Sequence, residues 1–222
     1  MKKPELGKSR GLVIALFGPD GVGKSAVIEQ VRARVGDAFS GVSQYHFRPM
    51  MGCPPARHFP VRDPHGRGPR GLLISVVKLI YWLLDCWCGY LIAIRPGLRQ
   101  SRLVIFDRYF PDVVVDPRRY RLPASVMGFA KWLVRLAPGP DLHVLLDAPV
   151  AVIQRRKAEV SHAETLRQRA AYLAMFQLLP DKLIVNADRP VDEVARHVAT
   201  AVFLLLTSRK FEQPENFAIA DL

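Results

Sequence analysis

Eight consecutive residues near the start of the chain have the types and spacing of a phosphate-binding loop. Residues 18–25 read GPDGVGKS and match G-x-x-x-x-G-K-[ST] at every fixed position. Glycines let successive backbone N–H groups turn towards phosphate oxygens, and a following helix adds partial positive charge at its N-terminus. We expect this loop to bind the phosphates of a nucleoside triphosphate, ATP with Mg²⁺. The predicted nucleotide contacts are Gly18, Gly21, Val22, Gly23, Lys24, Ser25 and Ala26.

Three side chains of this loop have separate predicted roles. Lys24 would bridge the terminal phosphates, and the Ser25 hydroxyl would help to hold Mg²⁺. Asp20 is unusual, because an acid is electrostatically unfavourable next to phosphate. We expect its carboxylate to face the acceptor, where it would bind a hydroxyl or position the attacking group. The alternative is that Asp20 only stabilises the turn.

A second chemical feature follows the apolar run at residues 103–106, where Asp107, Arg108 and Tyr109 stand in sequence. Ligands of α/β proteins bind at the carboxyl ends of the strands. An acid there can order Mg²⁺ through water or take the acceptor proton, and the planar guanidinium of Arg108 suits bidentate contact with a phosphate. The alternative for an isolated Asp-Arg pair is a surface ion pair.

Strand-like and helix-like runs alternate along the chain, which predicts a three-layer α/β/α fold around a five-stranded parallel sheet. The strands are predicted at residues 12–17, 44–47, 103–106, 142–146 and 183–185, and the main helices at 24–35, 71–94, 124–136, 150–157, 161–179 and 191–206. We predict one domain over residues 1–208 and a tail at 209–222. Prolines and glycines make residues 48–70 a long irregular loop.

Composition narrows the class of partner. The 222 residues carry a formal net charge of +12, which favours an anionic partner. The basic residues are spread over loops and form no recognisable nucleic-acid module. Three cysteines, an odd number without a paired CxxC, favour reduced thiols and a cytoplasmic protein.

The apolar run at residues 71–94 is long enough to require a decision about membrane spanning. Lys78 and Asp85 lie seven positions apart on one helical face, and Ser75 and Gly89 extend that face as a small or polar stripe. We therefore predict a buried helix beside a polar cleft. A membrane-surface element and a true span are the alternatives.

The ordered set of motifs resembles the thymidylate kinases and their relatives among the P-loop nucleoside-phosphate kinases. The resemblance rests on residues 18–25, Asp107-Arg108-Tyr109, Arg48-Pro49, Leu146-Asp147-Ala148-Pro149, the basic run Arg155-Arg156-Lys157 and the turn at residues 186–190. It implies in-line transfer of the γ-phosphoryl group and a short lid over residues 155–164. Arg156, with Arg155 as second choice, would stabilise charge from the lid, and Lys24, Asp20, Asp107 and Arg108 would share the chemistry. Asp20, Arg48, Arg108 and Tyr109 would bind the acceptor, Ser25 and Asp107 would hold Mg²⁺ partly through water, and a homodimer is implied.

The chain departs from this family on the acceptor side. Phe17 stands where the family usually has glutamate, and arginines are dense in residues 48–70 and 118–121. The leading hypothesis is transfer to a nucleoside monophosphate. An alternative is a kinase of the same fold with a larger anionic acceptor, a sugar or a surface-glycan or lipid-linked saccharide, held near a membrane surface. A second alternative is a non-catalytic P-loop switch or ATPase module.

Overall fold

The computed structural model describes residues 10–49, 68–157 and 160–211, with side chains described as far as residue 208. Within these ranges the chain forms a five-stranded sheet, all parallel, in the order β2-β3-β1-β4-β5. The predicted fold class is therefore confirmed. The strands are β1 (Leu12–Phe17), β2 (Val42–His46), β3 (Leu103–Asp107), β4 (Leu142–Asp147) and β5 (Lys182–Asn186).

Helices cover both faces of the sheet and make the three layers. On one face, alternate β1 residues such as Leu12 and Leu16 pack in a core with Val31 and Val198. On the other face, Phe17 and Phe106 pack with residues such as Leu79 and Phe176. The helices are α1 (Lys24–Val35), α2 (Leu72–Gly89), α3 (Arg95–Arg99), α4 (Asp112–Val115), α5 (Met127–Leu136), α6 (Val150–Arg156), α7 (His162–Leu178) and α8 (Val191–Phe211).

The strand order places the predicted chemistry at one edge. β1 lies between β3 and β4, so the loop after β1 emerges beside the ends of both neighbours. Leu16 pairs with Asp107 in the β1–β3 register. The phosphate loop and the Asp107-Arg108 pair are therefore neighbours at the carboxyl edge, as ligand sites of α/β sheets require.

The long apolar segment forms a continuous helix, Leu72–Arg99, in which a wider π-helical turn at Tyr90–Ile94 precedes Pro96. The buried side of α2 carries Ser75, Leu79, Trp82, Asp85, Cys86 and Gly89. Ser75, Asp85 and Gly89 of the predicted polar stripe are buried and Lys78 is half-buried. Burial of the whole helix was wrong, because the opposite face exposes apolar side chains such as Leu73 and Leu84. By length and composition this is the one helix of the described chain that could cross a membrane.

Several sequence-predicted features lie partly outside the described residues. Residues 50–67 of the predicted acceptor-side loop, residues 158 and 159 of the predicted lid and residues 212–222 of the predicted tail belong to this group. The predicted boundaries of the kinase domain stay predictions.

Candidate active site

The phosphate loop connects β1 to α1 through residues with positive φ. Gly21 has φ +86°, and a Cβ atom at this position would lie 3.0 Å from Cβ of Lys157 and 3.1 Å from its carbonyl oxygen. Only glycine fits both the backbone angle and this contact. The loop is therefore packed directly against the end of α6, where the predicted lid begins.

Lys24 is the first residue of α1 and is almost fully buried, with 7% of its surface exposed. Its ammonium group donates hydrogen bonds to the carbonyl oxygens of Gly18 at 2.7 Å and Pro19 at 3.0 Å. It lies 3.9 Å from Oδ1 of Asp20. The lysine thus folds back over the loop, with its charge where the terminal phosphates of a bound nucleotide would lie.

Arg108 follows β3 and is held by three acceptors. Its guanidinium pairs with Asp20 of the phosphate loop and with Asp112 at 3.0 Å, and it donates to the hydroxyl of Tyr172 at 3.1 Å. Burial opposes the charge of Arg108, but Asp112 together with Tyr172, Tyr120 and Asp107 outweighs burial and raises the pKa of the guanidinium well above its usual value. The arginine is a permanent cation fixed against the phosphate loop.

Asp107 ends β3 with a carboxylate suited to a cation. Burial would raise its pKa, but His46, Lys24 and Arg108 outweigh burial and lower it to about 2. The carboxylate is therefore ionised at neutral pH. Its Oδ1 is buried and makes no hydrogen bond to the described residues. An anionic oxygen without a protein donor suits a hard cation such as Mg²⁺, so Asp107 fits the predicted metal role, whereas the role of the Ser25 hydroxyl stays a prediction.

The basic end of α6 reaches over the loop through Arg156. Its guanidinium donates to the carbonyl oxygens of Val22, at 3.3 Å, and Ala187, at 2.8 Å. Arg156 thereby links the phosphate loop to the turn after β5. Arg155 and Arg156 are both exposed, and the contact of Arg156 with the phosphate loop distinguishes it from Arg155. The role of either residue towards the donor phosphates stays a prediction.

A group of side chains that the sequence did not identify as site residues also lies at this edge of the sheet, next to Asp20. Arg119 forms an ion pair with Asp20, and its Nε lies 3.2 Å from Asp116. Asp116 in turn accepts a hydrogen bond from Gln168 of α7 at 3.1 Å. The only sequence signal for Arg119 was its place in the arginine-rich run at residues 118–121, which is equally typical of an exposed loop.

The start of α7 is tied to the same loop. The Ser161 hydroxyl accepts from the backbone N–H of Glu164 at 3.2 Å and caps the helix. The Glu164 carboxylate binds Arg167 at 2.6 Å and Arg118 at 3.3 Å. The C-terminal part of the predicted lid is therefore joined by charge pairs to the arginine-rich loop.

Tyr109 and Arg48 have different placements. Tyr109 is not brought to the site: it is 3% exposed, and its hydroxyl donates to the carbonyl of Pro138 at 2.6 Å. Arg108 has φ +67°, and this left-handed turn directs the following tyrosine back into the core. Arg48 lies against α2, with its guanidinium carbon 5.8 Å from the ring centre of Trp82, and its role towards an acceptor stays a prediction.

The fold places a phosphate loop, a buried arginine and a basic residue of α6 together at one edge of the sheet, an arrangement typical of P-loop kinases. No family model matches the chain. A thymidylate kinase from Xanthomonas campestris pv. campestris is 29% identical over 211 residues, which cover 90% of this chain and 86% of that protein. A probable thymidylate kinase from Thermococcus gammatolerans is 32% identical over 120 residues, 49% of this chain and 55% of that protein.

A comparison with solved structures bears on the fold. The thymidylate kinase of Candida albicans superposes with a TM-score of 0.61 at 17% identity, over 92% of this chain and 94% of that one, which supports the fold. The chain is a kinase that resembles the thymidylate kinases, as its sequence predicted. The relatives support the nucleotide acceptor and give no support to the glycan acceptor or the non-catalytic module.

Proposed function

We propose that the protein transfers the γ-phosphoryl group of ATP to a nucleoside monophosphate, with dTMP as the first candidate. The observation that carries this proposal is the convergence of Lys24, Arg108 and Arg119 around the Asp20 carboxylate. Phosphoryl transfer depends on positioning and on cations that stabilise charge on the transferred group. Three cations at the end of a phosphate loop meet that requirement.

The donor half of the reaction follows from the loop and the lid. Backbone N–H groups of the loop would bind the ATP phosphates, and Lys24 would exchange its two carbonyl contacts for phosphate oxygens. Arg156 would share the charge on the donor phosphates from above the loop. Ser25 and Asp107 would hold Mg²⁺, which neutralises phosphate charge when it is bound.

The acceptor half depends on Asp20, Arg108 and Arg48. Arg108 is fixed by Asp112, so its second guanidinium edge points to Asp20 without rearrangement. An incoming acceptor phosphate would compete with the Asp20 carboxylate for this edge, while Asp20 would accept a hydrogen bond from an acceptor hydroxyl. Arg48 would bind the acceptor from the β2 side.

We also propose a cytoplasmic homodimer. Trp132 and Leu136 of α5 are exposed beside Leu84 and Trp87 of α2, and the Trp87 indole N–H donates to the Leu136 carbonyl at 2.9 Å. These exposed apolar side chains lie on two helices in contact with each other, as is typical of an interaction surface. A second copy of the chain would cover this surface.

A substrate panel tests the proposed function. ADP release should be measured with ATP, Mg²⁺ and, in turn, dTMP, other nucleoside monophosphates and simple sugars. We expect turnover with at least one nucleoside monophosphate. Turnover with sugars alone, or nucleotide binding without any transfer, would overturn the proposal in favour of one of the two alternatives.

A further inference from the structure

Two cationic side chains lie against Trp82. The Lys78 ammonium lies 4.4 Å from the Trp82 ring centre, and the Arg48 guanidinium carbon lies 5.8 Å from the same centre. Arg70 and Arg121 are close enough to Lys78 for their charges to lower its pKa, and the Arg70 backbone N–H donates to the Arg121 carbonyl at 2.9 Å. We call these four residues the Trp82 cation cluster.

Without a bound anion, the positive charges of the Trp82 cation cluster repel one another. Burial, followed by the charges of Arg70, Arg121 and Arg48, lowers the pKa of Lys78 to about 8. Like charges held together in a partly buried place destabilise one another, and an anion bound among them removes that cost.

Tyr120 separates this cluster from the donor site. Its hydroxyl donates to Asp112 at 2.7 Å, the carboxylate that also holds Arg108. Its carbonyl accepts from Lys78 at 2.6 Å, at the other end of the residue, and its ring stacks on Phe47 with the centres 4.9 Å apart. The transferred phosphate must lie among Lys24, Arg108 and Asp20, so Lys78 is placed for a different anionic group.

We propose that Arg48, Lys78, Arg70 and Arg121 form a second anion site on the acceptor side, which binds a phosphate or carboxylate group of the acceptor. The acceptor would then carry an anionic group in addition to the one that receives the γ-phosphate. The planar guanidinium groups suit either oxyanion, and the lysine adds a point charge. The link to an acceptor rests on the proposed function, whereas the anion site itself does not.

Trp82 makes the site directly measurable. In a variant with Trp87→Phe and Trp132→Phe, Trp82 is the sole tryptophan, because the chain has three. Adding Lys24→Ala weakens phosphate binding at the loop. Inorganic phosphate and, separately, acetate are titrated into this protein at constant ionic strength against a chloride control, and Trp82 fluorescence is followed. We expect a saturable change with at least one of the two anions, which also tells a phosphate ligand from a carboxylate ligand.

Charge variants test whether the Trp82 cation cluster is responsible for the anion binding. Lys78→Gln combined with Arg121→Gln should weaken the binding by about tenfold or more. Lys131→Gln, at an exposed position of α5, is the matched control and should change nothing. Lys78→Arg keeps the charge and should bind within about threefold of the parent, which guards against a folding defect.

Two results would overturn the inference: no saturable change with either anion, or binding that is unaltered by the double glutamine change. Because no turnover is measured, the outcome is separate from that of the substrate panel. A protein that binds anions here but phosphorylates no nucleotide would keep this site and lose the proposed function.

Discussion

Asp20 in the phosphate loop and Arg119 form an ion pair across 99 positions of sequence, and Arg108 binds the other oxygen of the same carboxylate. An acid in a phosphate loop repels the nucleotide unless its charge is neutralised. The two arginines supply that neutralisation from the β3 side. The same carboxylate thereby ties the donor loop to the arginine-rich loop that borders the acceptor.

Loss of Arg119 should therefore weaken nucleotide binding through Asp20. We expect Arg119→Gln to raise the KM for ATP about tenfold, because one of the cations that offset the Asp20 charge is gone. Asp20→Asn in the same background should recover most of the ATP affinity, although acceptor binding would stay impaired. Arg118→Gln is the adjacent control, since its side chain is 68% exposed and pairs with Glu164. Equal effects of the two arginine variants would show that Arg119 has no special link to Asp20.

Substitution at Gly21 should damage the loop by a steric and a backbone effect together. Gly21→Ala places Cβ 3.0 Å from Cβ of Lys157 at φ +86°, so we expect the free energy of unfolding to fall by about 1–2 kcal/mol. Gly128→Ala is the control, because nothing lies within 4 Å of its Cβ position. It should leave stability unchanged or raise it by about 0.5–1 kcal/mol in the helix. Urea denaturation measures both, and a tolerated alanine at position 21 would contradict the loop geometry.

Anion binding at the Trp82 cation cluster should depend on pH through Lys78. Its pKa is lowered from 10.5 to about 8, so the protonated form that attracts an anion is lost as pH rises through about 8. The neighbouring Arg48, Arg70 and Arg121 stay charged, and Tyr120 has a pKa well above 10. We expect the affinity for phosphate, which is almost entirely a dianion above pH 8, to fall as pH rises from about 8 to 9.5.

The lowered pKa of Lys78 also makes the free energy of unfolding depend on pH. Between about pH 8 and 10.5 the unfolded chain binds the Lys78 proton more strongly, so this group makes the free energy of unfolding rise with pH. Lys78→Arg should remove both pH effects. A native protein whose phosphate affinity is flat up to pH 9.5 would rule out Lys78 as the titrating group.

Charge placed on the apolar surface of α2 and α5 should dissociate the proposed homodimer. Leu84 is 56% exposed within that surface, and Leu84→Glu would bury a carboxylate in the dimer interface. Leu178→Glu changes an equally apolar residue, 85% exposed on α7, and should leave the dimer intact. Sedimentation velocity distinguishes the two. A native protein that is monomeric at micromolar concentrations, or that sediments with lipid vesicles, would contradict the homodimer.

The sequence correctly predicted the elements whose local pattern is typical of a single kind of structure. The bounds of β1 and α1 agree with the prediction, since an apolar strand, a glycine loop and a helix start are all local signals. The long apolar helix was harder to interpret. A helix that is apolar all round does not reveal which face is buried, and in the structure only one face is.

The parts of the site that the sequence did not predict are contacts between residues that lie far apart in the chain. Arg119 reaches Asp20, and Lys78 reaches Tyr120, only because the loop after α4 folds back across the sheet edge. Neither pair has a spacing that a periodic pattern could reveal. Tyr109 shows the opposite error: it stands next to a site residue, but the left-handed backbone at Arg108 directs it into the core.

The most direct test of the central claim is the transfer of label from [γ-³²P]ATP to dTMP. With Mg²⁺ present, the native protein should yield labelled dTDP. Lys24→Ala should lower the rate by at least about 10²–10³-fold while its circular dichroism and unfolding midpoint stay near those of the native protein. Labelled dTDP at an undiminished rate from Lys24→Ala, or no labelled nucleotide with any nucleoside monophosphate, would contradict the account.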